Sequence, residues 1–226
     1  MQLKLFFAPG SCSRVSMVAL EEIGEPFETE LVVFMKGGHK APEYLAMNPS
    51  GKVPALLVDG QPLSQTVAIL TFLARSFPQA ELLPLGEDPF SDAQLLRDLI
   101  WCSSDLHPLV TRLRLPTMFC DLPGAPDRVF AMAQVLMTTQ LEQAERRLSR
   151  QPWMLGERWS MVDAYLQWVW WRITGAGFPT APFPHLADSA RRTEERPAFQ
   201  RARAREIAAE QELAVQGALF VPPGRT

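Results

Sequence analysis

The chain has 226 residues, of which 47% are hydrophobic, and its 22 basic and 25 acidic side chains leave a formal net charge of −3. A chain of this length is predicted to form one or two domains, and its near-neutral charge disfavours a nucleic-acid-binding protein. No apolar run approaches the ~18 residues of a membrane-spanning helix, no signal peptide is recognisable, and three widely spaced cysteines indicate a reducing, cytoplasmic setting rather than a disulfide framework.

Short apolar runs alternate with helical patterns over the first 78 residues. The predicted elements are a strand, a helix, a strand, a polar loop or short helix, a hairpin and a helix, over residues 3–7, 15–23, 27–33, 36–40, 55–63 and 66–77. Asp59-Gly60 supplies the hairpin turn. A strand–helix–strand opening followed by a hairpin predicts a mixed sheet, with parallel and antiparallel pairs, in a small α/β domain.

Prolines at positions 78, 84 and 89 mark a linker over residues 79–88. Beyond it, residues 89–226 are predicted to form an all-helical domain, because apolar residues recur at helical spacing. Long helices are marked by residues 95–110, 133–148 and 161–173, and shorter ones start near residues 186 and 197. The helix over 161–173 is apolar all round, which predicts a central position.

Ser11, Cys12 and Ser13 lie between the first strand and the first helix. Ligands of open α/β sheets bind at the carboxyl ends of strands, and a helix N-terminus stabilises an anion there. A thiol at such a place has a lowered pKa and is reactive at neutral pH. Val15 stands where a C-x-x-C motif would have its second cysteine, which disfavours intramolecular dithiol chemistry. The alternative is an inert Cys12 beside serines that only cap the helix.

Val53-Pro54 stands directly before a predicted strand. If the peptide bond is cis, Val53 offers its main-chain N–H and C=O to an extended peptide ligand. The alternative is an ordinary trans proline at the start of a strand.

Gln65 and Thr66 stand where a strand gives way to a helix. A hydroxyl and helix-terminal N–H groups at this point can bind a carboxylate. The alternative is a pair of residues that cap the helix.

These motifs together resemble those of the cytosolic glutathione transferases, most closely the bacterial beta class. The resemblance covers nearly the whole chain, in the family's order and spacing. Its matching stretches are Ala8-Pro9-Gly10-Ser11-Cys12-Ser13, Asn48-Pro49-Ser50-Gly51-Lys52-Val53-Pro54-Ala55, Leu63-Ser64-Gln65-Thr66-Val67-Ala68-Ile69, Asp105-Leu106-His107 and Trp159-Ser160-Met161-Val162-Asp163-Ala164-Tyr165-Leu166.

The resemblance implies a thioredoxin-like domain with cis-Pro54, an all-helical second domain and a homodimer. It implies that glutathione, the co-substrate, lies along the Val53 main chain with its sulfur near Cys12. The implied glutathione-binding residues are Lys36, Lys52, Val53, Pro54, Gln65 and Thr66. His107 matches a histidine that lines the pocket around the cysteine. The chain departs from the beta class at Gln65, where an acidic residue is common, and at Pro108, where a lysine often follows the histidine.

Several residues after the linker have both a structural and a functional interpretation. Ser160 and Asp163 are predicted to form a capping box. Trp171 with Arg172 is a candidate wall of an apolar substrate pocket, although most tryptophans on that helix are expected in the core. Six arginines and three glutamates between Arg191 and Glu206 are expected on a solvated helix surface, with an anion-binding face as the alternative.

The predicted function is a glutathione transferase that joins the glutathione thiolate to a small hydrophobic electrophile. Ser11, Cys12, Ser13 and His107 are the predicted catalytic residues, and no metal is expected. The first alternative is a glutathione-dependent thiol-disulfide reductase that uses Cys12 through a mixed disulfide. The second is a non-catalytic protein that binds glutathione or another small molecule.

Overall fold

The computed structural model describes residues 1–86 and 88–220. Four strands form one mixed sheet in the order β2-β1-β3-β4: β1 (Leu3–Phe7), β2 (Glu28–Leu31), β3 (Ala55–Val58) and β4 (Gln61–Ser64). β1 pairs parallel to β2 and antiparallel to β3, and β3 pairs antiparallel to β4. The predicted mixed sheet and hairpin are therefore confirmed.

Three helices accompany the sheet: α1 (Ser13–Ile23), α2 (Pro42–Met47) and α3 (Thr66–Ser76). The segment at 36–40, predicted as a loop or short helix, lies in two 3₁₀ turns, Phe34–Lys36 and Gly38–Lys40. Nine consecutive residues of α1, from Ser13 to Glu21, are buried. Contacts with α3, β1 and the last helix of the chain, α9 (Pro197–Val215), account for that burial.

The remaining helices are α4 (Pro89–Ile100), α5 (His107–Arg114), α6 (Ala125–Leu148), α7 (Met161–Thr174) and α8 (Pro184–Glu194). The single helix predicted over 95–110 is interrupted by a π-helical segment, Trp101–Leu106. Pro108 explains the interruption, because it has no N–H and its ring excludes a carbonyl four residues earlier from the helical ladder. α7 is buried on almost every side, as its all-round apolar sequence predicts.

The described residues fall into two compact units: Met1–Leu85 together with residues 195–220 form the first, and the second runs from Gly86 to Glu194. The expected helical domain of 89–226 is thus shared, because α9 belongs with the sheet-bearing unit. Long-range ion pairs between α1 and α9, which helical periodicity cannot reveal, explain the difference. Residues 221–226 of that expected domain lie outside the described residues.

No helix in the described part of the chain has the length and apolar character needed to cross a membrane.

Candidate functional site

The loop between β1 and α1 carries the predicted reactive segment. Cys12 is the N-cap residue of α1 and is 7% exposed. The Ser11 hydroxyl, half-buried, donates to the Ala8 carbonyl at 2.8 Å and lies 2.6 Å from the Ser13 hydroxyl. Ser13 is completely buried, and its Oγ accepts from the Ala8 N–H at 3.3 Å. Ser13 therefore supports the loop from inside, which leaves Ser11 and Cys12 as the side chains nearest the surface.

Three separate stretches of sequence meet at the Cys12 thiol. Its Sγ donates to the Val53 carbonyl at 3.6 Å, and the Thr66 hydroxyl donates to Sγ at 3.9 Å. The Val53–Pro54 peptide bond is cis. Val53 and Thr66 are both buried, so the contacts are made in a place of low water content. The structure thus brings together three of the sequence motifs around one sulfur.

Two hydrogen bonds to the Lys52 carbonyl hold the main chain just before Val53. The Tyr44 hydroxyl and the Asn48 Nδ2 each donate to this carbonyl, both at 2.6 Å. Tyr44 and Asn48 are buried, whereas the Lys52 side chain is exposed. Lys52 therefore contributes through its main chain. Sequence reasoning did not single out Tyr44 or assign a role to Asn48, although the Asn48-Pro49-Ser50-Gly51 stretch signals a turn that could have directed attention there.

Gln65 has the unusual backbone angles φ 74° and ψ 118° at the start of α3. A non-glycine residue in such a region costs on the order of 1–3 kcal/mol, and such strain concentrates at ligand sites. Within the described part of the chain, the Gln65 side chain accepts no hydrogen bond from the first N–H groups of α3, and it is exposed. The capping alternative is therefore wrong for Gln65, which presents its amide at the start of α3 instead.

Lys36 lies at the end of the first 3₁₀ turn and is exposed. Its Nζ donates to the Gln216 Oε1 at 2.8 Å, just beyond the end of α9. A ligand carboxylate that binds Lys36 would have to replace or share this contact.

In the second unit, His107 is the first residue of α5 and is half-buried. Its Nδ1 lies 3.1 Å from the Tyr165 hydroxyl, and its ring centroid lies 4.6 Å from that of Trp168. Tyr165 and Trp168 are buried, so one side of the imidazole packs in an aromatic cluster.

Two further residues of the second unit, Trp171 and Arg172, are half-buried near the end of α7. The Arg172 guanidinium carbon lies 5.4 Å from the centroid of the Trp171 ring. Trp168 and Trp170 are buried, which confirms that most tryptophans of this helix belong to the core.

The predicted capping box at the start of α7 is confirmed. Asp163 Oδ2 accepts from the Ser160 N–H at 2.9 Å, and the Ser160 Oγ accepts from the Val162 N–H at 3.2 Å. The other oxygen of Asp163 accepts from the Met154 N–H at 2.8 Å. Burial raises the pKa of Asp163 to about 6, although all these hydrogen bonds favour the ionised form. Its role is in the folding of α7.

Within residues 1–86 and 88–220, no three or more His, Cys, Asp or Glu side chains are grouped to hold a metal ion.

Comparisons with known proteins agree with this geometry. Residues 1–75 match the family model of the glutathione S-transferase N-terminal domain. The glutathione S-transferase GstA of Escherichia coli O157:H7 is 31% identical over 200 residues, which cover 88% of this chain and 96% of GstA.

Two solved structures show the same fold. A sphingomonad glutathione S-transferase complexed with glutathione has 30% identity and a TM-score of 0.78, over 90% of this chain and 98% of that one. The beta-class enzyme of Sphingomonas chungbukensis has 28% identity and a TM-score of 0.78 over the same shares. These likenesses extend over nearly the full length of each protein. The chain therefore belongs to the glutathione S-transferase family of glutathione-dependent enzymes.

Proposed function

We propose that this protein transfers the glutathione thiolate to an electrophilic carbon of a small hydrophobic compound. The convergence of Cys12, Val53 and Thr66 on one sulfur position carries this proposal. Val53 precedes β3 and is outside the ladder that β3 forms with β1 and β4, so its main chain is placed to pair with an extended peptide. The sphingomonad relative, similar over nearly its whole length, binds glutathione.

In this proposal each end of glutathione has its own partner. The cysteinyl group lies along the Val53 main chain, which Tyr44 and Asn48 hold through Lys52. The γ-glutamyl end reaches Gln65 and Thr66 at the start of α3, where helix N–H groups favour a carboxylate. Lys36 pairs with the glycyl carboxylate in exchange for its contact with Gln216.

The chemistry then requires a sulfur anion near the start of α1. The glutathione thiol loses its proton to solvent, and hydrogen-bond donors around Ser11 and Cys12 stabilise the thiolate. The thiolate forms a bond to the electrophilic carbon, and the leaving group departs with the electron pair of the broken bond. Binding both reactants turns a bimolecular reaction into a local one, which supplies much of the rate acceleration. His107, Trp171 and Arg172 are proposed to contact the hydrophobic substrate.

Calorimetry with glutathione and an assay with a chloronitroaromatic compound test this function. We expect saturable binding and conjugation, and we expect Thr66→Val to weaken binding because it removes the hydroxyl near the sulfur. Thr71→Val is a control, because that hydroxyl of the same helix donates to the Val67 carbonyl instead. Binding without conjugation of any electrophile would favour the non-catalytic alternative, and no binding at millimolar glutathione would overturn the proposal.

A second candidate function is glutathione-dependent disulfide reduction, which the position of the Cys12 thiol, outside any disulfide, at the start of α1 favours. The Cys12 thiolate would attack a glutathionylated substrate, release the substrate thiolate and form a mixed disulfide. A second glutathione would then attack that disulfide, regenerate Cys12 and leave as oxidised glutathione. A reducing compartment such as the cytoplasm would keep Cys12 available as a thiol.

Intact mass after incubation with oxidised glutathione tests the reductase. The expected result is one glutathione adduct on the native protein and none on Cys12→Ala. Cys102→Ala is the matched control, since Cys102 is completely buried in the second unit and burial raises the pKa of its thiol. Full reductase activity in Cys12→Ala would exclude this route.

We also propose that a second copy of this chain covers an exposed apolar surface of the second unit. Met132, Val135 and Leu136 are each at least half exposed and lie on one face of α6. On α4, Phe90 and Ile100 are also exposed, at 71% and 50%. Exposed apolar patches of this kind mark protein interfaces.

A further inference from the structure

A buried ion pair joins α1 to α9 beside the reactive loop. The Arg14 Nε lies 2.6 Å from the Glu206 Oε2, and the two side chains are 2% and 0% exposed. Arg14 is in the first turn of α1, two residues after Cys12. Glu206 lies near the middle of α9. The pair therefore connects the base of the reactive segment to a helix that is remote in sequence.

The second oxygen of Glu206 contacts the loop directly. Its Oε1 accepts from the Gly10 N–H at 2.9 Å. Gly10 has φ 72°, a conformation that favours glycine, and immediately precedes Ser11. One carboxylate thus holds residues 10 and 14, which bracket the whole Ser11-Cys12-Ser13 segment.

A further charged neighbour of Glu206 is on its own helix. The Arg203 Nη1 lies 3.4 Å from the Glu206 Oε2 and 2.9 Å from the Glu210 Oε1. Arg203 is 30% exposed, so the centre of the arrangement is the buried pair of Glu206 and Arg14, with the partly buried Gly10 N–H on the second carboxylate oxygen. A buried ion pair costs desolvation and is often replaceable by apolar residues, so stability alone is a weak reason for its presence.

Ion pairs at the other end of α1 provide a comparison. The Glu21 carboxylate contacts Arg201 at 2.7 Å and Arg205 at 2.6 Å, and the Glu22 carboxylate contacts Arg196 at 2.7 Å. Arg196, Arg201 and Arg205 belong to the arginine-rich stretch that was expected on a solvated surface, and the side chains of Arg201 and Arg205, 54% and 41% exposed, agree with that expectation. The expectation is wrong for Glu206, which is completely buried. Glu21 and Glu22 stand near the C-terminal end of α1, so they join the same two helices without touching the reactive loop.

We propose that Glu206 is a positioning residue for the reactive loop: its carboxylate fixes Gly10 and Arg14, and so sets where Ser11 and the Cys12 thiol stand relative to the Val53 carbonyl. The inference rests on the proposed function for its catalytic consequence. Its geometric consequence, the placement and shielding of Cys12, does not depend on glutathione.

Two double variants isolate the contact with the loop. Arg14→Met with Glu206→Gln removes both charges and keeps a side-chain oxygen for the Gly10 N–H. Arg14→Met with Glu206→Met removes the charges and also that oxygen. The two proteins therefore differ only at position 206, where the glutamine amide offers an oxygen acceptor, together with its NH2 group, and methionine offers neither. We expect the glutamine variant to keep kcat/KM within about threefold of the native protein, and the methionine variant to lose about tenfold or more, as small misplacements of reacting groups do.

A readout that requires no glutathione accompanies the kinetics. Cys12 is 7% exposed, so its rate of alkylation by iodoacetamide reports the closure of the loop. We expect at least a threefold faster rate in the methionine variant than in the glutamine variant, with Cys12 identified by peptide mass. Glu21→Gln is the control: it should lower the urea midpoint of unfolding and leave both the alkylation rate and kcat/KM unchanged.

The outcomes separate this inference from the proposed function. Equal kinetics and equal alkylation in the two double variants would overturn the role of Glu206, even if the native protein is an active transferase. If the native protein neither binds glutathione nor conjugates an electrophile, but the two double variants still differ in alkylation rate, only the proposed function would be overturned. If neither double variant folds, hydrogen exchange in the native protein decides: the Gly10 amide should exchange as slowly as amides of central α1, and fast exchange would contradict the proposal.

Discussion

At the scale of single residues, Asp163 shows burial and hydrogen bonding acting in opposite directions on one carboxyl. Burial raises its pKa from 3.8 to about 6, so protonation is easier in the folded protein than in the unfolded chain. A raised pKa means that this group contributes most stability below its unfolded pKa. The contribution is lost as the pH rises from about 4 through 6.

Comparison with Asp163→Asn tests this dependence. The advantage of the native protein in the free energy of unfolding should shrink by about 2 kcal/mol between roughly pH 4.5 and pH 7, because the amide does not titrate. Urea unfolding at the two pH values measures both proteins. A constant advantage, or one that grows with pH, would show that the hydrogen bonds from Ser160 and Met154 keep the carboxylate ionised.

Gln65 couples backbone strain to the proposed glutathione site. Gln65→Gly and Gln65→Ala both remove the side chain, so both should weaken glutathione binding by a similar factor. Only glycine tolerates positive φ readily, so Gln65→Gly should be more stable than Gln65→Ala by about 1 kcal/mol. This reverses the usual order of the two residues. Thermal unfolding and calorimetry measure the two effects separately, and an alanine variant more stable than the glycine variant would contradict the strain.

At the scale of elements, α2 fixes the main chain before Val53 through the Tyr44 hydroxyl, which donates to the Lys52 carbonyl. Tyr44→Phe removes the hydrogen bond to the Lys52 carbonyl and keeps the ring, whose edge packs against Phe6 at 5.8 Å between centroids. We expect a loss of about 1 kcal/mol in stability and a higher KM for glutathione with kcat nearly unchanged. Steady-state kinetics over a range of glutathione concentrations provides the measurement. An equal fall in kcat would instead place Tyr44 in the chemical step.

Elements with a local signal were predictable, whereas those set by distant partners were not. The Asp59-Gly60 turn fixed the hairpin, and Ser160 with Asp163 fixed the start of α7, because both signals act within a few residues. The π-helical segment at Trp101–Leu106 does not alter the apolar spacing, so it was predicted as ordinary helix. Local signals singled out Cys12, Val53 and Thr66 one by one, but only the family resemblance implied that they meet, since Cys12 and Thr66 are 54 residues apart.

At the scale of the whole molecule, α9 belongs with the sheet-bearing unit although 109 residues of the second unit stand between it and Leu85 in the chain. The arginines and glutamates that attach α9 to α1 are predicted to form a solvated surface when only the sequence of their own helix is considered. Their partners are 174 to 192 residues away in sequence for the Arg196 and Arg14 contacts. The charge pattern of one helix therefore indicates an interface only when the helix that packs against it is also known.

The proposed dimer would form through the exposed apolar surface of α4 and α6. If a second copy covers it, light scattering should give twice the mass of 25.3 kDa. Leu136→Glu places a charge at a half-exposed position and should shift the protein toward the monomer, because burying an unpaired carboxylate opposes association. Glu142→Lys on the same helix is the control, as its side chain is 54% exposed and its carboxylate forms an ion pair with Arg146 at 3.8 Å. A native protein that stays monomeric at high concentration would contradict the proposed dimer.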